Sequence, residues 1–305
     1  MSVLSASRNQ LDWARDRAHW PLHRHSRFVM AGGLRWHVQQ FGHGPDLVLV
    51  HGTGSSTHTW ARLGPVLAER FSITTFDLPG HGFTEPARTR DTSIAGFADL
   101  TSALLSEVGV HSHLMVGHSA GAAILARMVL DQRVTPNVVI GLNAAFEPFS
   151  GVAGAIFPTL AKLLYVNPLV PRLFAARARD ERVVRDLLAE TGSQVPPESA
   201  ALYTRLFRCT RHVRSTLKMM ANWDLRKLRS ELCDMTVPLV LFAGENDRTV
   251  KPYQSFEVAS DAPAARAELI HKLGHLMHEE DPPRIADAIV EAYAFVSANQ
   301  RDVPA

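Results

Sequence analysis

The sequence predicts an α/β protein with a mostly parallel central sheet, helices on both faces and an inserted helical cap. Short, almost wholly apolar runs alternate with stretches of helical periodicity, a pattern typical of parallel strands that helices cover on both sides. The alternation stops in the middle of the chain, where prolines divide a helical segment, and it resumes near the C-terminal end. Such an interruption indicates a segment inserted between two strands of one sheet.

The sheet begins with a predicted β-hairpin. Residues 26–30 and 34–40 are extended runs on either side of Gly32 and Gly33, and a tight hairpin turn favours glycine. The parallel strands then follow as apolar runs at residues 47–50, 72–77, 113–116, 137–143, 237–244 and 267–270. Apolar residues at helical spacing predict helices over about 93–107, directly after residue 119, and over about 283–298.

These patterns divide the chain into three predicted segments. Residues 1–25 form an N-terminal extension, residues 26–143 and 237–305 form the core, and residues 144–236 form the cap. The cap contains helical pieces separated by prolines, and prolines are typical of the boundaries between short helices.

Composition and charge exclude several classes of function. The 305 residues include 32 Lys and Arg against 30 Asp and Glu, so a net charge of +2 gives no reason to expect a nucleic-acid partner. The 2 cysteines are too few for a disulfide framework. The charged N-terminus lacks the apolar stretch of an export signal, and no apolar run is long enough to span a membrane. We therefore expect a cytoplasmic protein with at most peripheral membrane contact.

The clearest functional motif is Gly117-His118-Ser119-Ala120-Gly121, which lies between a predicted strand and a predicted helix. It matches the nucleophile elbow G-x-S-x-G, whose glycines let the backbone turn sharply and expose the serine hydroxyl. A helix N-terminus also favours the negative charge that develops during attack on a carbonyl. The motif predicts Ser119 as a catalytic nucleophile.

A serine hydroxyl needs a base to remove its proton, and in this motif class the acid and then the histidine follow the serine along the chain. Glu245 and Asp247 directly follow one predicted strand, and His275 follows the next. We predict that His275 is the general base and that Asp247 orients it, with Glu245 as the competing acid.

Backbone amides complete the predicted catalytic machinery. The amides of Ala120 and Thr53 are placed to stabilise an oxyanion, because each follows the end of a core strand. The histidines show no metal-ligand spacing, so we expect no metal. Gly52-Thr53-Gly54 lacks the lysine of a phosphate-binding loop and the chain lacks a dinucleotide-binding glycine pattern, so we expect no cofactor.

The apolar content of the cap predicts a pocket for a large apolar molecule. Its predicted lining consists of Phe146, Phe157, Met219, Met220 and Trp223. Cap arginines are expected either to face solvent or to bind ligand carboxylates. They stand at positions 172, 177, 179, 182, 185, 205, 208, 211, 214 and 226.

The motifs LVLVHGTGSSTHTW, DLPGHGFT, MVGHSAGAA, GENDRTV and LGHLMHEEDP resemble the α/β-hydrolase superfamily across residues 26–298. Within it, HGTGSSTHTW, GHSAGAAI, NPLVPRLFA and MMANWDL resemble the magnesium chelatase accessory proteins of bacteriochlorophyll-making phototrophs. This resemblance implies a role near magnesium insertion into protoporphyrin, with a porphyrin as ligand and magnesium chelatase subunits as partners.

Three functions stay open on the sequence. The first is a serine hydrolase-fold accessory protein for magnesium chelatase that hydrolyses an ester or handles a tetrapyrrole. The second is a general carboxylesterase or carbon-carbon bond hydrolase acting on an apolar small molecule. The third is a non-catalytic porphyrin carrier or chelatase partner. The same predicted triad is compatible with all three, because fold and function are separable.

Overall fold

The structure, a computed structural model, describes residues 10–111, 113–147, 167 and 169–301. An eight-stranded sheet has the order β1-β2-β4-β3-β5-β6-β7-β8, in which β2 pairs antiparallel with β1 and β4, and the remaining pairs are parallel. The strands are β1 Ser26–Ala31, β2 Leu34–Gly42, β3 Asp46–Val50, β4 Ser72–Phe76, β5 Leu114–His118, β6 Val138–Leu142, β7 Leu239–Gly244 and β8 Ala265–Ile270.

Helices surround this sheet, which confirms the predicted fold class. They are α1 Trp13–Asp16, α2 Leu63–Leu67, α3 Ile94–Glu107, α4 Ala120–Leu130, α5 Leu169–Arg177, α6 Glu181–Glu190, α7 Pro197–Phe207, α8 Thr210–Asn222, α9 Arg226–Glu231, α10 Pro252–Asp261, α11 Met277–Glu280 and α12 Pro282–Arg301. Short 3-10 turns lie at Arg17–His19, His23–His25, Thr57–Trp60, Thr89–Asp91 and Leu232–Asp234. In the described ranges, no helix is long and apolar enough to cross a membrane.

Local sequence determines several of these boundaries. Gly32 and Gly33 have φ values of 56° and 76° at the turn of the hairpin, a region that glycine enters without strain. The Ser93 hydroxyl accepts a hydrogen bond of 3.1 Å from the Gly96 amide and so caps α3. Gly109, at φ 69°, follows the end of that helix.

The middle of the sheet, from β3 to β7, is buried on both faces. Alternate residues of β3 point to opposite sides, so Val48 and Val50 join one apolar layer while Leu47 and Leu49 join the other. The first layer includes side chains of α3, α4 and α10, and the second includes side chains of α2 and α12. Burial on both faces explains why the sequences of these strands are largely apolar runs.

Helices α5 to α9 lie between β6 and β7, where the cap is predicted. The N-terminal residues pack against this region, because Arg205 of α7 pairs with Asp16 at 2.7 Å and Trp20 is buried. The boundaries 1–25, 26–143 with 237–305, and 144–236 stay a prediction. The parallel strands β3 to β8 point the same way, so the loops that follow them meet at one edge of the sheet.

Candidate active site

Ser119 occupies a sharp turn between β5 and α4. Its φ of 50° and ψ of −116° are strained for a residue with a side chain. The neighbouring glycines make the turn possible: a Cβ on Gly117 would collide with the Ala122 amide nitrogen, and one on Gly121 with the Val50 carbonyl oxygen. This is the backbone geometry that the G-x-S-x-G motif predicts.

His275 and Asp247 form a buried pair at the ends of neighbouring strands. His275 Nδ1 lies 2.7 Å from Asp247 Oδ2, and the two residues are 7% and 3% exposed. Asp247 Oδ1 accepts the amides of Thr249 at 2.7 Å and Val250 at 2.9 Å. Because these amides fix the carboxylate, its other oxygen is aimed at the imidazole and can hold one tautomer of it.

Glu245, the competing acid, binds other groups than His275. Glu245 Oε2 accepts the Lys272 amide at 2.8 Å, and Oε1 lies 3.4 Å from His271 Nδ1. The hydrogen bond from Lys272, helped by His271, lowers the pKa of Glu245. The structure therefore places Asp247, and not Glu245, against His275.

The elbow approaches His275 through His118. His118 Nε2 lies 2.9 Å from the His275 carbonyl oxygen, and the centroids of the two rings are 4.7 Å apart. Among the described residues, no hydrogen bond joins the Ser119 hydroxyl to His275. In a ligand-free site such catalytic hydrogen bonds are often long and tighten when substrate binds.

The two predicted oxyanion donors lie beside the elbow. A Cβ on Gly52 would be 3.1 Å from Ser119 Cβ, so the loop after β3 touches the nucleophile directly. Thr53 is the next residue of that loop, and Ala120 begins α4. In the described part of the chain neither amide donates to a protein acceptor, so both remain available to an oxyanion.

Met219 comes nearest to this position among the residues predicted to line a pocket. Its Sδ lies 3.9 Å from the Thr53 hydroxyl, and the side chain is buried. Phe157 lies outside the described residues. Helix α8 therefore places an apolar side chain beside the loop that follows β3, and the part of Met219 in a pocket stays a prediction.

Of the other three predicted lining residues that the structure describes, Phe146 and Trp223 contact the apolar layer of α3 and α4. Phe146 is buried in the layer of α3 and α4, and Trp223 packs edge-on against Phe97 with centroids 5.9 Å apart. Met220 is half-buried on α8. Their part in a substrate pocket stays a prediction.

Two cap arginines, Arg205 and Arg211, are bound by protein atoms, which corrects for these two the expectation that they face solvent or a ligand; the side chain of Arg226 is 79% exposed, as expected. Arg205 pairs with Asp16 at 2.7 Å, and Arg226 pairs with Asp224 at 2.7 Å. Arg211 donates hydrogen bonds of 2.7 Å to two backbone carbonyls in the loop after β4.

His212 of α8 joins the cap to two loops at the sheet edge. Its Nε2 lies 3.0 Å from the Gly54 carbonyl oxygen, and the Gly82 amide lies 3.2 Å from its Nδ1. Burial holds the pKa of His212 well below its usual range, so a neutral ring can donate to one loop and accept from the other. The sequence gives no indication of this role.

A turn of the cap is bonded to both loops that hold the proposed acid and base. The Arg248 amide donates to the Thr191 carbonyl at 3.0 Å, and the Leu276 amide donates to the Ser193 hydroxyl at 2.7 Å. Arg248 follows Asp247 and Leu276 follows His275. We call residues 191–193 the cap turn.

Asn143, at the end of β6, joins the same two loops from inside the sheet. Its Nδ2 lies 2.9 Å from the carbonyl oxygens of both Gly274 and His275, and its Oδ1 accepts the Gly244 amide at 2.7 Å. Its φ is 48°, a conformation that asparagine tolerates better than most residues. Asn143 thus positions the His275 loop relative to the strand that leads to Asp247.

The remaining histidines near the site have structural partners. His51 Nε2 accepts the Leu78 amide at 2.9 Å, and burial lowers the pKa of His51 to about 3. Within the residues that the structure describes, no group of three His, Cys, Asp or Glu is arranged to hold a metal ion.

The sequence model of the alpha/beta hydrolase family matches residues 47–288. The chain belongs to the alpha/beta hydrolase family. This alpha/beta hydrolase is 36% identical over 268 residues to the magnesium-chelatase 30 kDa subunit of Rhodobacter capsulatus, an alignment that covers 86% of this chain and 92% of the relative.

A second relative of this alpha/beta hydrolase is the pimeloyl-(acyl-carrier protein) methyl ester esterase of Aeromonas hydrophila. The two are 27% identical over 267 residues, which cover 83% of this chain and 96% of the esterase. An alpha/beta hydrolase fold protein from Burkholderia ambifaria has a similar structure, with a TM-score of 0.72 at 21% identity over 87% of this chain and 97% of the other. That similarity supports the fold.

Proposed function

We propose that this alpha/beta hydrolase is a serine hydrolase that acts with magnesium chelatase in bacteriochlorophyll biosynthesis and cleaves an ester of a tetrapyrrole. The strained Ser119 at the start of α4, whose neighbour His118 contacts His275 of the His275–Asp247 pair, is the observation that carries the chemistry. The identity of 36% with the Rhodobacter capsulatus subunit supports the connection to magnesium chelatase. The likeness to a methyl ester esterase supports a carboxyl ester as the bond that is cleaved.

In the proposed reaction, Ser119 Oγ attacks the ester carbonyl carbon while His275 Nε2 takes the hydroxyl proton. Asp247 stabilises the imidazolium, and the amides of Thr53 and Ala120 bind the oxyanion. The intermediate collapses and the alcohol leaves with the proton from His275. Water, deprotonated by His275, then attacks the acyl-enzyme, releases the carboxylate and restores Ser119.

The apolar surroundings favour a large, weakly polar substrate. Met219 touches the oxyanion loop, and burial keeps the pKa of His118 well below its usual range, so this ring is neutral. An apolar side chain beside the oxyanion loop suits a macrocycle or an acyl chain better than a small charged substrate.

Labelling with a fluorophosphonate tests whether Ser119 is activated. We expect the wild-type chain to be labelled and Ser119→Ala to be unlabelled. Ser230→Ala is the matched control, because Ser230 is an exposed serine on α9 and its replacement should leave labelling unchanged. An unlabelled wild-type chain would contradict an activated serine.

Hydrolysis of a p-nitrophenyl ester tests the roles of the acid and the base. Ser119→Ala should lower kcat/KM by at least about 1000-fold, and Asp247→Asn by about 1000- to 10,000-fold, because the wrong imidazole tautomer is then favoured. Glu245→Gln is the control and should change kcat/KM by less than about 3-fold. An equal loss in both acid variants would reject the assignment of Asp247.

Complementation tests the biological role. In a phototroph whose own gene for this protein is deleted, the wild-type chain should restore bacteriochlorophyll and Ser119→Ala should not. Restoration by the labelling-negative Ser119→Ala variant would show that the pocket alone is needed and would favour a porphyrin carrier. Accumulation of an esterified tetrapyrrole in the deletion strain would support the ester as substrate.

A further inference from the structure

Helix α5 presents its large apolar side chains to solvent. Leu169 and Leu173, one helical turn apart, are 57% and 64% exposed, and Phe174 is 39% exposed. The residues that this helix buries against the protein are small or compact, Pro171 and Ala175. A surface helix usually turns its large apolar residues inward. The arrangement is therefore inverted, which is typical of a surface that binds a further partner.

Arginines border these apolar side chains. Arg172, Arg177 and Arg179 are exposed, residues 169–179 contain no acidic residue, and none of the three pairs with a carboxylate of the described residues. Elsewhere in the cap, Arg205 and Arg226 do pair with carboxylates. We call this surface the cationic apolar face, and it consists of Leu169, Arg172, Leu173, Phe174, Arg177 and Arg179.

The neighbouring helix extends the apolar part of this surface. Leu187 of α6 is 38% exposed, and Arg182 and Arg185 are also exposed and unpaired among the described residues. Helix α6 and its preceding turn carry acidic residues as well, so the excess of positive charge is concentrated on α5. The acidic residues are Asp180, Glu181, Asp186 and Glu190.

We propose that the cationic apolar face docks onto the surface of an anionic lipid bilayer. Leucine and phenylalanine side chains enter the boundary between headgroups and acyl chains, while arginines bind the lipid phosphates. The chain as a whole carries a net charge of only +2, so attraction to an anionic surface depends on this local cluster. The proposal goes beyond the hydrolase reaction and does not depend on Ser119.

A second copy of the chain is a poorer partner for this surface. In a symmetric dimer the same patch meets itself, so the arginines of two copies would face one another and repel. A bilayer with anionic lipids supplies both the opposite charge and an apolar interior, which this combination of side chains requires.

Vesicle sedimentation of the full chain tests the proposal. We expect binding to phosphatidylcholine vesicles that contain about 30% phosphatidylglycerol, weak binding to pure phosphatidylcholine, and a loss of at least about 10-fold in affinity when salt is raised to about 0.5 M. The Ser119→Ala variant should bind as the wild type does, so failure of the hydrolase proposal would leave this result unchanged.

Two variants separate the apolar and the charged contributions. Leu169→Ser with Leu173→Ser should abolish binding, and Arg172→Gln with Arg177→Gln and Arg179→Gln should weaken binding to anionic vesicles by roughly 100-fold. The matched control replaces Tyr253 and Phe256 of α10 by serine. These side chains are 49% and 43% exposed on a different surface, and their loss should leave binding unchanged.

The replaced side chains are exposed, so each variant should melt at the temperature of the wild-type chain, as circular dichroism can verify. The proposal would be overturned if the chain did not bind vesicles, or if it bound neutral and anionic vesicles equally. It would also be overturned if the control variant and the leucine variant lost equal amounts of binding. A dimer in light scattering that the leucine variant dissociates, without vesicle binding, would overturn it in favour of self-association.

Discussion

Two buried carboxylates, one in the loop after β4 and one in α11, respond to burial in opposite ways. Asp77 is fully buried and accepts the amides of Thr57 and Phe83 at 2.7 and 2.8 Å. Its Oδ2 also lies 2.8 Å from a ring nitrogen of His37. Glu279 is equally buried, but its partners are the hydroxyls of Thr59 and Tyr203.

The difference shows that an imidazole partner, supported by N–H donors, keeps one buried carboxyl group charged, whereas burial dominates at the other. Burial acts to raise the pKa of Asp77, but attraction to His37 and the N–H donors hold it well below its usual range. Burial raises the pKa of Glu279 to about 7. Asp77 has the attraction and the hydrogen bond of His37 in addition to N–H donors that favour the anion, whereas the hydroxyls of Thr59 and Tyr203 lower the pKa of Glu279 too little to offset its burial.

Acid should destabilise the chain through its buried histidines by more than the protonation of Glu279 offsets, and this is the largest effect we expect. Burial lowers the pKa of six histidines, so the unfolded chain binds protons first as the pH falls below 6.5, and stability present above that pH is lost. They are His51, His58, His81, His118, His212 and His278.

At pH 5 the four histidines whose pKa falls to about 3 or 4, namely His51, His58, His81 and His278, cost about 2 kcal/mol each, about 8 kcal/mol together, which is comparable with a typical domain stability of about 5–15 kcal/mol. We expect unfolding between about pH 6 and 4.5. Urea unfolding at a series of pH values measures how the free energy of unfolding changes with pH, and this slope gives the number of protons that the chain takes up on unfolding. Equal stability at pH 7 and pH 5 would contradict neutral buried histidines.

Removing Asp77 should be the most damaging single change to either carboxylate. Asp77→Ala leaves the Thr57 and Phe83 amides and a ring nitrogen of His37 without their acceptor, which we expect to cost about 3–5 kcal/mol. Asp77→Asn keeps one acceptor oxygen and should cost less. Urea unfolding at pH 7 compares both variants with the wild type. A loss below about 1 kcal/mol in the free energy of unfolding of Asp77→Ala would show that the amides and the His37 ring do not need this acceptor.

The Glu279→Gln substitution tests this comparison through the pH dependence of stability. Because the folded-state pKa of about 7 lies above the ordinary value of 4.5, the stability from Glu279 is present below pH 4.5 and is lost as the pH rises towards 7. Between pH 5 and 8 the wild type should lose about 2 to 3 kcal/mol relative to Glu279→Gln. The histidine contribution is common to both chains and cancels. Parallel stability curves for the two chains would contradict a protonated Glu279.

The smallest effect concerns the hydroxyl that faces Glu279. Tyr203→Phe removes a hydrogen bond of 2.8 Å to the carboxyl group and one of 3.1 Å to Ser55, which should cost about 1 kcal/mol. The loss of this donor should raise the pKa of Glu279 further. The measurement is the difference in free energy of unfolding between the chain with Glu279 and the Glu279→Gln chain as a function of pH. When both chains also carry Tyr203→Phe, the pH at which this difference levels off should move upward. A downward movement would reject the assigned donor.

The sequence predicts much of the fold because the parallel strands β3 to β7 are covered on both faces and therefore form largely apolar runs. It also predicts which strand ends carry Ser119, Asp247 and His275, since the nucleophile motif is local and the order of acid and base along the chain is known. Their catalytic roles stay a prediction. The structure adds that Glu245, two residues from Asp247, is bonded away from His275.

The interactions that surround these residues are not predictable from local patterns. Asp77 and His37 are 40 positions apart, and Tyr203 and Glu279 are 76 apart. Nothing near Asn143 in the sequence indicates that its amide spans two loops. Partners of this kind depend on how distant elements pack, whereas periodicity and turn chemistry report only on neighbours along the chain.

The cap turn that follows α6 is a hydrogen-bonded connection between the outer surface of the cap and the interior of the molecule. Residues 191–193 are bonded to the loops of both the proposed acid and the proposed base, and α6 borders the cationic apolar face. If an outside contact favours one position of α6, it changes the affinity of the interior for its ligand. The interior ligand must then change the affinity of the outside contact by the same factor, because coupling between two binding events is reciprocal.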